Sequence, residues 1–294
     1  MSGSEGTDPV APIKKGVKPW LIAAIAVIIV AIVVLAVLMS GVLNPKAEES
    51  ALDKIRRQGK IVMATEATFP PFESLNLTSQ QIEGFDIDIA KKIVENVSAE
   101  LGVDLTLEVR DVAFLNIPAM LVNKQIDMSL SGMTITDERN ETILFSTPYY
   151  LMEAGLGIMV KNGSTPITNA SQLAGKQIVV NSYTTSETWV EKNLVDVGLV
   201  SEDDVAHLAT IALCVQDVIS GNSDCFIIDT TTALYYVNST NEQVLVTGVI
   251  PSFEPYGIAL PKTSTDLKQI IDAVINEMME SGEMADLRVK WGLV

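Results

Sequence analysis

Apolar positions run from Trp20 to Leu43 without one charged residue, twenty-four in all. At roughly 1.5 Å per residue that stretch crosses a bilayer with some tilt. From Asp53 onward the pattern breaks into short blocks. Ile61 to Glu66 (IVMATE) predicts a first strand, ended at Phe69-Pro70-Pro71-Phe72 because two prolines cannot continue a ladder. After Phe85, the residues Ile87, Ala90, Val94, Val97 and Leu101 recur at steps of three and four, with Asp88, Lys91, Lys92 and Glu95 opposite. This spacing predicts an amphipathic helix with Asp86 as N-cap and Gly102 as stop. Leu105, Leu107 and Val109 then alternate with Thr106, Glu108 and Arg110, the period of a half-buried strand. A helix near Ile117 to Lys124 and a strand at Asp127 to Leu130 continue the β-α-β-α-β order of a layered α/β sheet.

The cycle restarts after Tyr149-Tyr150. Strands are expected at 155–160, 177–181 and 224–228, and helices near 185–193, 212–219 and 230–237. A strand at Gly257 to Leu260 and an amphipathic helix from Asp266 to Met279, with Leu267, Ile270, Ile271, Val274 and Met278 on one side, complete the pattern. The chain therefore holds two α/β units. In such sheets ligands lie beyond the carboxyl ends of the strands.

The N-terminal span is longer than the apolar core of a signal peptide and has neither a small-x-small cleavage site nor a cysteine for lipid attachment after it. An uncleaved anchor is therefore expected, with residues 1–19 cytoplasmic, 20–43 in the membrane and 44–52 a polar tether. Lys14, Lys15 and Lys18 precede the span, so positive-inside bias exports the chain beyond Leu43. The exported part carries 17 basic against 35 acidic side chains, a surface that repels nucleic acid. N-x-S/T sequons at Asn76, Asn96, Asn140, Asn162, Asn169 and Asn238 fit a surface where glycosylation is possible. Cys214 and Cys225 are the only cysteines. They could staple a helix to the following strand as a disulfide or remain two buried thiols. With one histidine, His207, they are too few for a zinc site, and no motif calls for a cofactor.

Several candidates for chemistry sit where strands end. Glu66-Ala67-Thr68-Phe69-Pro70-Pro71-Phe72 comes after the first strand; its alternative is a rigid loop with aromatics in the core. Ser131-Gly132-Met133-Thr134 leads to Arg139, and an arginine fork beside backbone amides suits a carboxylate, although a surface ion pair is the alternative. Asp229 closes a strand in the second unit, where it could receive an ammonium group, cap a helix, or both. Ser182-Tyr183-Thr184-Thr185-Ser186-Glu187 opens a helix whose free amides favour an anion, or is simply capped.

The segments ATEATFPPFES, GFDIDIAKKIV, LNIPAMLVNKQIDMSLSGMTITDERNETILFSTPYY, DCFIIDTTTALYYV and EPYGIALPK resemble, in order and spacing, the family-3 extracellular solute-binding proteins of amino-acid ABC transporters. Glutamine- and lysine/arginine/ornithine-binding members are among those it resembles. The likeness covers about 53–294, and SGMTITDER followed by FSTPYY is its most specific part. It implies a periplasmic-binding-protein fold, with 53–150 and 253–294 in one lobe, 151–252 in the other, and hinge segments near 149–153 and 252–256. It further implies that Arg139, Gly132, Thr134 and Thr185 take a ligand α-carboxylate and Asp229 the α-ammonium. Phe69 and Phe114 would sandwich the side chain, and Glu66 would meet its polar or basic end. Ser131, Asn181 and Thr184 complete the expected ligand-binding set. Tyr183 departs from the family, which commonly has glycine there. The partners implied are a free amino acid and a membrane permease.

A cyclohexadienyl-dehydratase-like enzyme on the same fold and a ligand-sensing module are the alternatives. Arg139 together with Asp229 favours an α-amino acid over the first. The short segment before the span is too small for the output domain that the second needs.

Overall fold

The computed structural model describes residues 18–39 and 49–293. The expected cytoplasmic residues 1–17, including Lys14 and Lys15, and residues 40–48 of the expected span and tether lie outside the described residues. Helix α1 (Pro19–Met39) belongs to one unit, and the chain from Ser50 onward forms a second. Helix α1 has no charged residue, and its 21 residues measure about 31 Å, enough to match a bilayer's hydrocarbon core.

The second unit begins earlier than its sequence pattern indicates. Ala51 and Leu52, expected in the tether, start helix α2 (Ala51–Gln58), which is capped by Ser50 and stopped by Gly59. Strand β1 (Lys60–Thr65) is buried along nearly its whole length, as the unbroken run IVMAT requires of an inner strand. After β2 (Thr68–Phe69), β3 (Glu73–Asn76) and β4 (Gln81–Glu83), which form a small sheet of their own, come α3 (Phe85–Leu101) and β5 (Thr106–Asp111). Next are α4 (Ile117–Val122), β6 (Met128–Ser129), α5 (Asp137–Thr142) and β7 (Ile143–Met152). The chain then crosses to β8 (Leu156–Lys161), β9 (Ile178–Asn181), α6 (Thr185–Val190), β10 (Val205–Leu208), α7 (Ile211–Ser220), β11 (Cys225–Asp229), α8 (Thr230–Ser239) and β12 (Val244–Ile250). It returns through β13 (Glu254–Pro261), α9 (Thr265–Ser281) and α10 (Glu283–Lys290).

Two five-stranded sheets result, ordered β5-β1-β6-β13-β7 and β10-β9-β11-β8-β12. Strand β1 is parallel to β5 and β6, and β9 is parallel to β10 and β11, so the carboxyl ends of each set open toward one edge of their sheet. Both crossings between the sheets lie side by side, because β7 and β13 pair antiparallel from Ile143↔Pro261 to Met152↔Glu254. An aromatic cluster sits at the near end of that pair. Phe72 stacks on Phe69 at 4.9 Å and meets Tyr150 and Tyr256 edge-on at 5.1 and 5.5 Å. Each such contact adds about 0.5–1.5 kcal/mol beyond burial, and together they fix where Phe69 stands.

One expectation needs correction, one open alternative is decided, and several elements were missed. Asp86 is not the N-cap of α3: Gly84 holds that position, and Asp86 turns its carboxylate into the interior. A Cβ on Gly84 would lie 2.0 Å from the Phe72 carbonyl oxygen, so only glycine lets the chain enter the helix there. Cys214 and Cys225 form no disulfide; both are free and buried. Strand β11 starts beside the end of α7, so Cys214 stands six residues back up the helix, about 9 Å along its axis, beyond disulfide reach. Finally, β7, β10, β12, α10 and the small sheet were not foreseen. Strand β7 contains Pro148, tolerated because β7 is an edge strand and Pro148 falls at a register shift opposite Gly257.

Candidate functional site

A cavity opens between the carboxyl ends of the two strand sets. Glu66, Phe69, Phe114, Ser131, Gly132, Thr134 and Arg139 line it from the first sheet, and Asn181, Thr184, Thr185 and Asp229 from the second. All the residues singled out from sequence as ligand-binding candidates therefore meet around one space.

Glu66 follows β1 directly and is almost wholly buried. Its Oε1 accepts hydrogen bonds from Thr68 Oγ1 at 2.6 Å and from the Ile211 amide at 2.8 Å, and its Oε2 accepts from the Phe114 amide at 3.1 Å. Asn181 Nδ2 approaches both oxygens at 3.4 Å. Burial raises this carboxyl's pKa, and the donors Thr68, Ile211 and Phe114 hold the rise back. The carboxylate thus ties β1 to the first turn of α7, which belongs to the other sheet.

Arg139 lies in α5, whose N-cap Thr136 accepts its amide. The guanidinium donates from Nη1 to the Thr134 carbonyl at 2.9 Å and from Nη2 to the Tyr183 carbonyl at 2.7 Å, and it lies 5.4 Å from the Phe114 ring centre. Burial lowers its pKa, with Glu254 and Glu138 opposing. Among the described residues no carboxylate stands within salt-bridge distance of it. Tyr183, whose carbonyl it holds, has φ of 71°, a left-handed conformation that glycine adopts without cost. The departure from glycine at this position therefore carries backbone strain.

Asp229 ends β11 and occupies the N-cap position of α8, but its side chain makes no cap hydrogen bond. It faces the Tyr256 hydroxyl instead, with its remaining exposure toward the cavity. Burial, then repulsion from Glu254, pushes its pKa from 3.8 to about 7. A deep carboxylate whose charged neighbour is another acid is an electrostatic environment made for a cation.

The donors expected for a carboxylate are arranged differently from the pattern the family resemblance implies. The Gly132 amide points to Asp86 Oδ2 at 3.1 Å, and Ser131 Oγ accepts from the Glu66 amide while donating to Glu73 Oε1 at 2.6 Å. Gly132 has φ of 52°, and a Cβ there would lie 2.2 Å from Phe69 Cε1, so the turn and the close approach of the ring both require glycine. Thr184 caps α6, its hydroxyl accepting from the Glu187 amide and donating to the Asn181 carbonyl. Thr134 Oγ1 and Thr185 Oγ1 donate to a single oxygen, Glu254 Oε2, at 2.5 and 2.6 Å. Glu254 went unnoticed in sequence because a lone acid before Pro255-Tyr256 has no periodic signature. Ser186, named in sequence only as part of a helix opening, also lines the cavity, as do Ile211, Phe226 and Ile228, which were missed; the last two alternate on β11, hidden within its apolar run.

Away from the cavity, Glu187, Glu191 and His207 bring one ligand atom each within 4.8 Å of one another, a grouping that could take a divalent cation. Both Glu187 oxygens are already engaged, by His207 Nδ1 and by the Tyr183 amide, each at 2.6 Å.

Residues 61–294 match the profile of the bacterial extracellular solute-binding proteins, family 3. The L-cystine-binding protein TcyJ of Escherichia coli (strain K12) is 32% identical over 248 residues, 83% of this chain and 87% of that protein. The ABC transporter glutamine-binding protein GlnH of Bacillus subtilis (strain 168) is 31% identical over 254 residues, 86% of this chain and 88% of that protein. A crystal structure of a mutant of ArgBP from T. maritima superposes with a TM-score of 0.72 at 32% identity, covering 83% of this chain and all of that one.

Proposed function

Because the chain belongs to the bacterial extracellular solute-binding proteins of family 3, we propose that its cavity closes around one free α-amino acid, which it delivers to the permease of an ABC transporter. The carrying observation is that Arg139 from the first sheet and Asp229 from the second face one cavity, neither with an ion-pair partner among the described residues. A zwitterion supplies both partners, its carboxylate for the guanidinium and its ammonium for the acid. Since the two groups belong to different sheets, both pairs are gained only when the lobes meet, which couples binding to closure. The lobes proposed are 53–150 with 253–294 and 151–252, hinged near 149–153 and 252–256. Phe69 and Phe114 clasp the ligand side chain, whose end reaches Glu66 and Asn181, favouring a polar or basic amino acid.

The protein binds and does not transform its ligand: an assay with prephenate and arogenate should give no turnover. Helix α1 serves as an uncleaved anchor, with the binding domain outside the cell. Membrane-extracted protein should therefore retain its first 43 residues by intact mass and resist alkaline extraction.

The direct test is calorimetric titration of the full-length protein with each standard amino acid. At least one should bind with Kd on the order of 1 μM or tighter, about 8 kcal/mol. Arg139→Ala and Asp229→Ala should each abolish that binding. Failure of every amino acid to bind overturns the proposal.

A further inference from the structure

Behind the cavity wall lie two acids with no part in the ligand contacts. Glu73 opens β3, and Asp86 sits in the first turn of α3; both have zero exposure. Glu73 Oε1 accepts from Ser131 Oγ at 2.6 Å, and Asp86 Oδ2 accepts from the Tyr149 hydroxyl at 2.7 Å and the Gly132 amide at 3.1 Å. The remaining oxygens, Glu73 Oε2 and Asp86 Oδ1, have no donor among the described residues. Their backbones hold the two acids together, since the Asp86 amide donates to the carbonyl of Phe72, next to Glu73, at 3.0 Å, and the neighbouring residues Ser131 and Gly132 bond one acid each. One proton between Oε2 and Oδ1 gives both oxygens a partner and removes one of two like charges from the interior. Thr65 Oγ1, buried and also unpartnered, faces Glu73 too, but a hydroxyl there leaves both charges in place.

We propose that Glu73 and Asp86 share a single proton, Glu73 as the acid and Asp86 as the carboxylate, and that this pair is the positioning device for the Ser131–Gly132 wall of the ligand cavity. The acid member holds Ser131 in place, and the anion draws in the Gly132 amide. The wall's shape then depends on a proton that no solvent reaches. Titration agrees in direction: burial and the Asp86 charge push Glu73 well above the carboxylate range, and burial takes Asp86 to about 7 against its donors Tyr149, Gly132 and Glu73. The titratable groups facing the pair are Tyr149 from β7, itself raised by burial and by both acids, and Glu66 beyond β1, whose negative charge raises Glu73 further. Stability from the two raised values is complete at low pH, where both acids are protonated, and is lost as pH rises through about 7 at Asp86 and then through the Glu73 titration; the single-proton pair occupies the interval between the two.

The consequence for affinity rests on the amino-acid reading of the cavity; the shared proton does not. Full-length wild type and E73Q, whose amide keeps a donor toward Asp86 and an acceptor for Ser131, would be compared from about pH 6 to about pH 10, spanning the interval from carboxylates to lysine. Wild type should show an infrared carbonyl band of a protonated carboxylic acid that E73Q lacks. Near neutrality E73Q should bind the amino acid within about threefold of wild type, whereas Glu73→Ala loses binding. The E73Q to wild-type affinity ratio should climb by up to about tenfold per pH unit in the alkaline range, the slope of one proton, with the ligand's own amine cancelling in the ratio. Should E73Q fail to fold, Asp86→Asn offers the same donor to Glu73 and should erase the same band. A band unchanged by either variant, or a ratio flat across the range, overturns the proposal. If wild type binds no amino acid, the cavity reading fails, while the infrared band and the pH dependence of unliganded stability still decide the pair.

Discussion

Asp229 offers the sharpest test of how this cavity selects a ligand. Without a cationic partner its pKa is raised from 3.8 to about 7, chiefly by burial. A raised value means that the unliganded folded state holds this proton more tightly than the unfolded chain does. That contribution to stability is complete below the ordinary value and is lost as pH rises through about 7. An ammonium group reverses the preference, because it pairs only with the ionised form. Affinity should therefore rise with pH toward 7 and level off above it. At about pH 5, two units below the titration point, binding should be weaker than the plateau by about a hundredfold, or roughly 3 kcal/mol. Titration calorimetry in buffers of different ionisation enthalpy counts the protons: close to one should be released per ligand at about pH 6 and almost none at about pH 8. Asp86 titrates in the same window, so the control is Asp229→Asn. That variant should release no proton on any residual binding and should lose about 2–5 kcal/mol of affinity, the cost of truncating one partner of a buried charge pair. Proton release that survives in Asp229→Asn, or affinity unchanged by it, would refute the assignment of the ammonium to this residue.

Gly132→Ala must place a side chain at φ of 52° and 2.2 Å from Phe69 Cε1; strain and overpacking together should destabilise by about 2–5 kcal/mol in urea unfolding. Tyr183→Gly relieves a left-handed residue whose side chain is exposed, so thermal denaturation should show a gain of about 1 kcal/mol with affinity unchanged. Glu254→Ala strips the shared acceptor from Thr134 and Thr185 and should weaken ligand binding by about 1.5–3 kcal/mol, as hydrogen bonds to a charged group are worth. Glu254→Gln, which keeps a carbonyl acceptor, should lose less, and calorimetry of the two variants separates these outcomes.

Much of the fold was legible because burial leaves periodic traces. Helices α3 and α9 fall within one or two residues of the ranges their three- and four-residue spacing predicts, although Gly84 rather than Asp86 caps α3. Strands β1, β5 and β11 were likewise readable from apolar runs or alternation. The edge strands β7, β10 and β12 left no such trace. Strand β12 is interrupted by Gly248, where a Cβ would lie 2.7 Å from the Ile167 carbonyl oxygen, so a strand-breaking residue marks close packing there. In the site, Glu66, Asn181 and Asp229 were legible as polar residues ending or following buried strands. The direction of the Gly132 amide, the role of Glu254 and the unbonded cysteines were not, because each depends on what another part of the chain places opposite.

By itself the sequence determined the apolar N-terminal helix, the two α/β units and the polar residues at strand ends, all properties of short stretches read against helix and strand periods. Tertiary structure alone decided which of those residues meet. Arg139 and Asp229 stand 90 positions apart, and Glu73 and Asp86 are joined only by the packing of a small sheet against α3. A carboxyl group becomes a receptor or a proton holder through burial and through the charge that faces it. Both are set by chain segments remote in sequence.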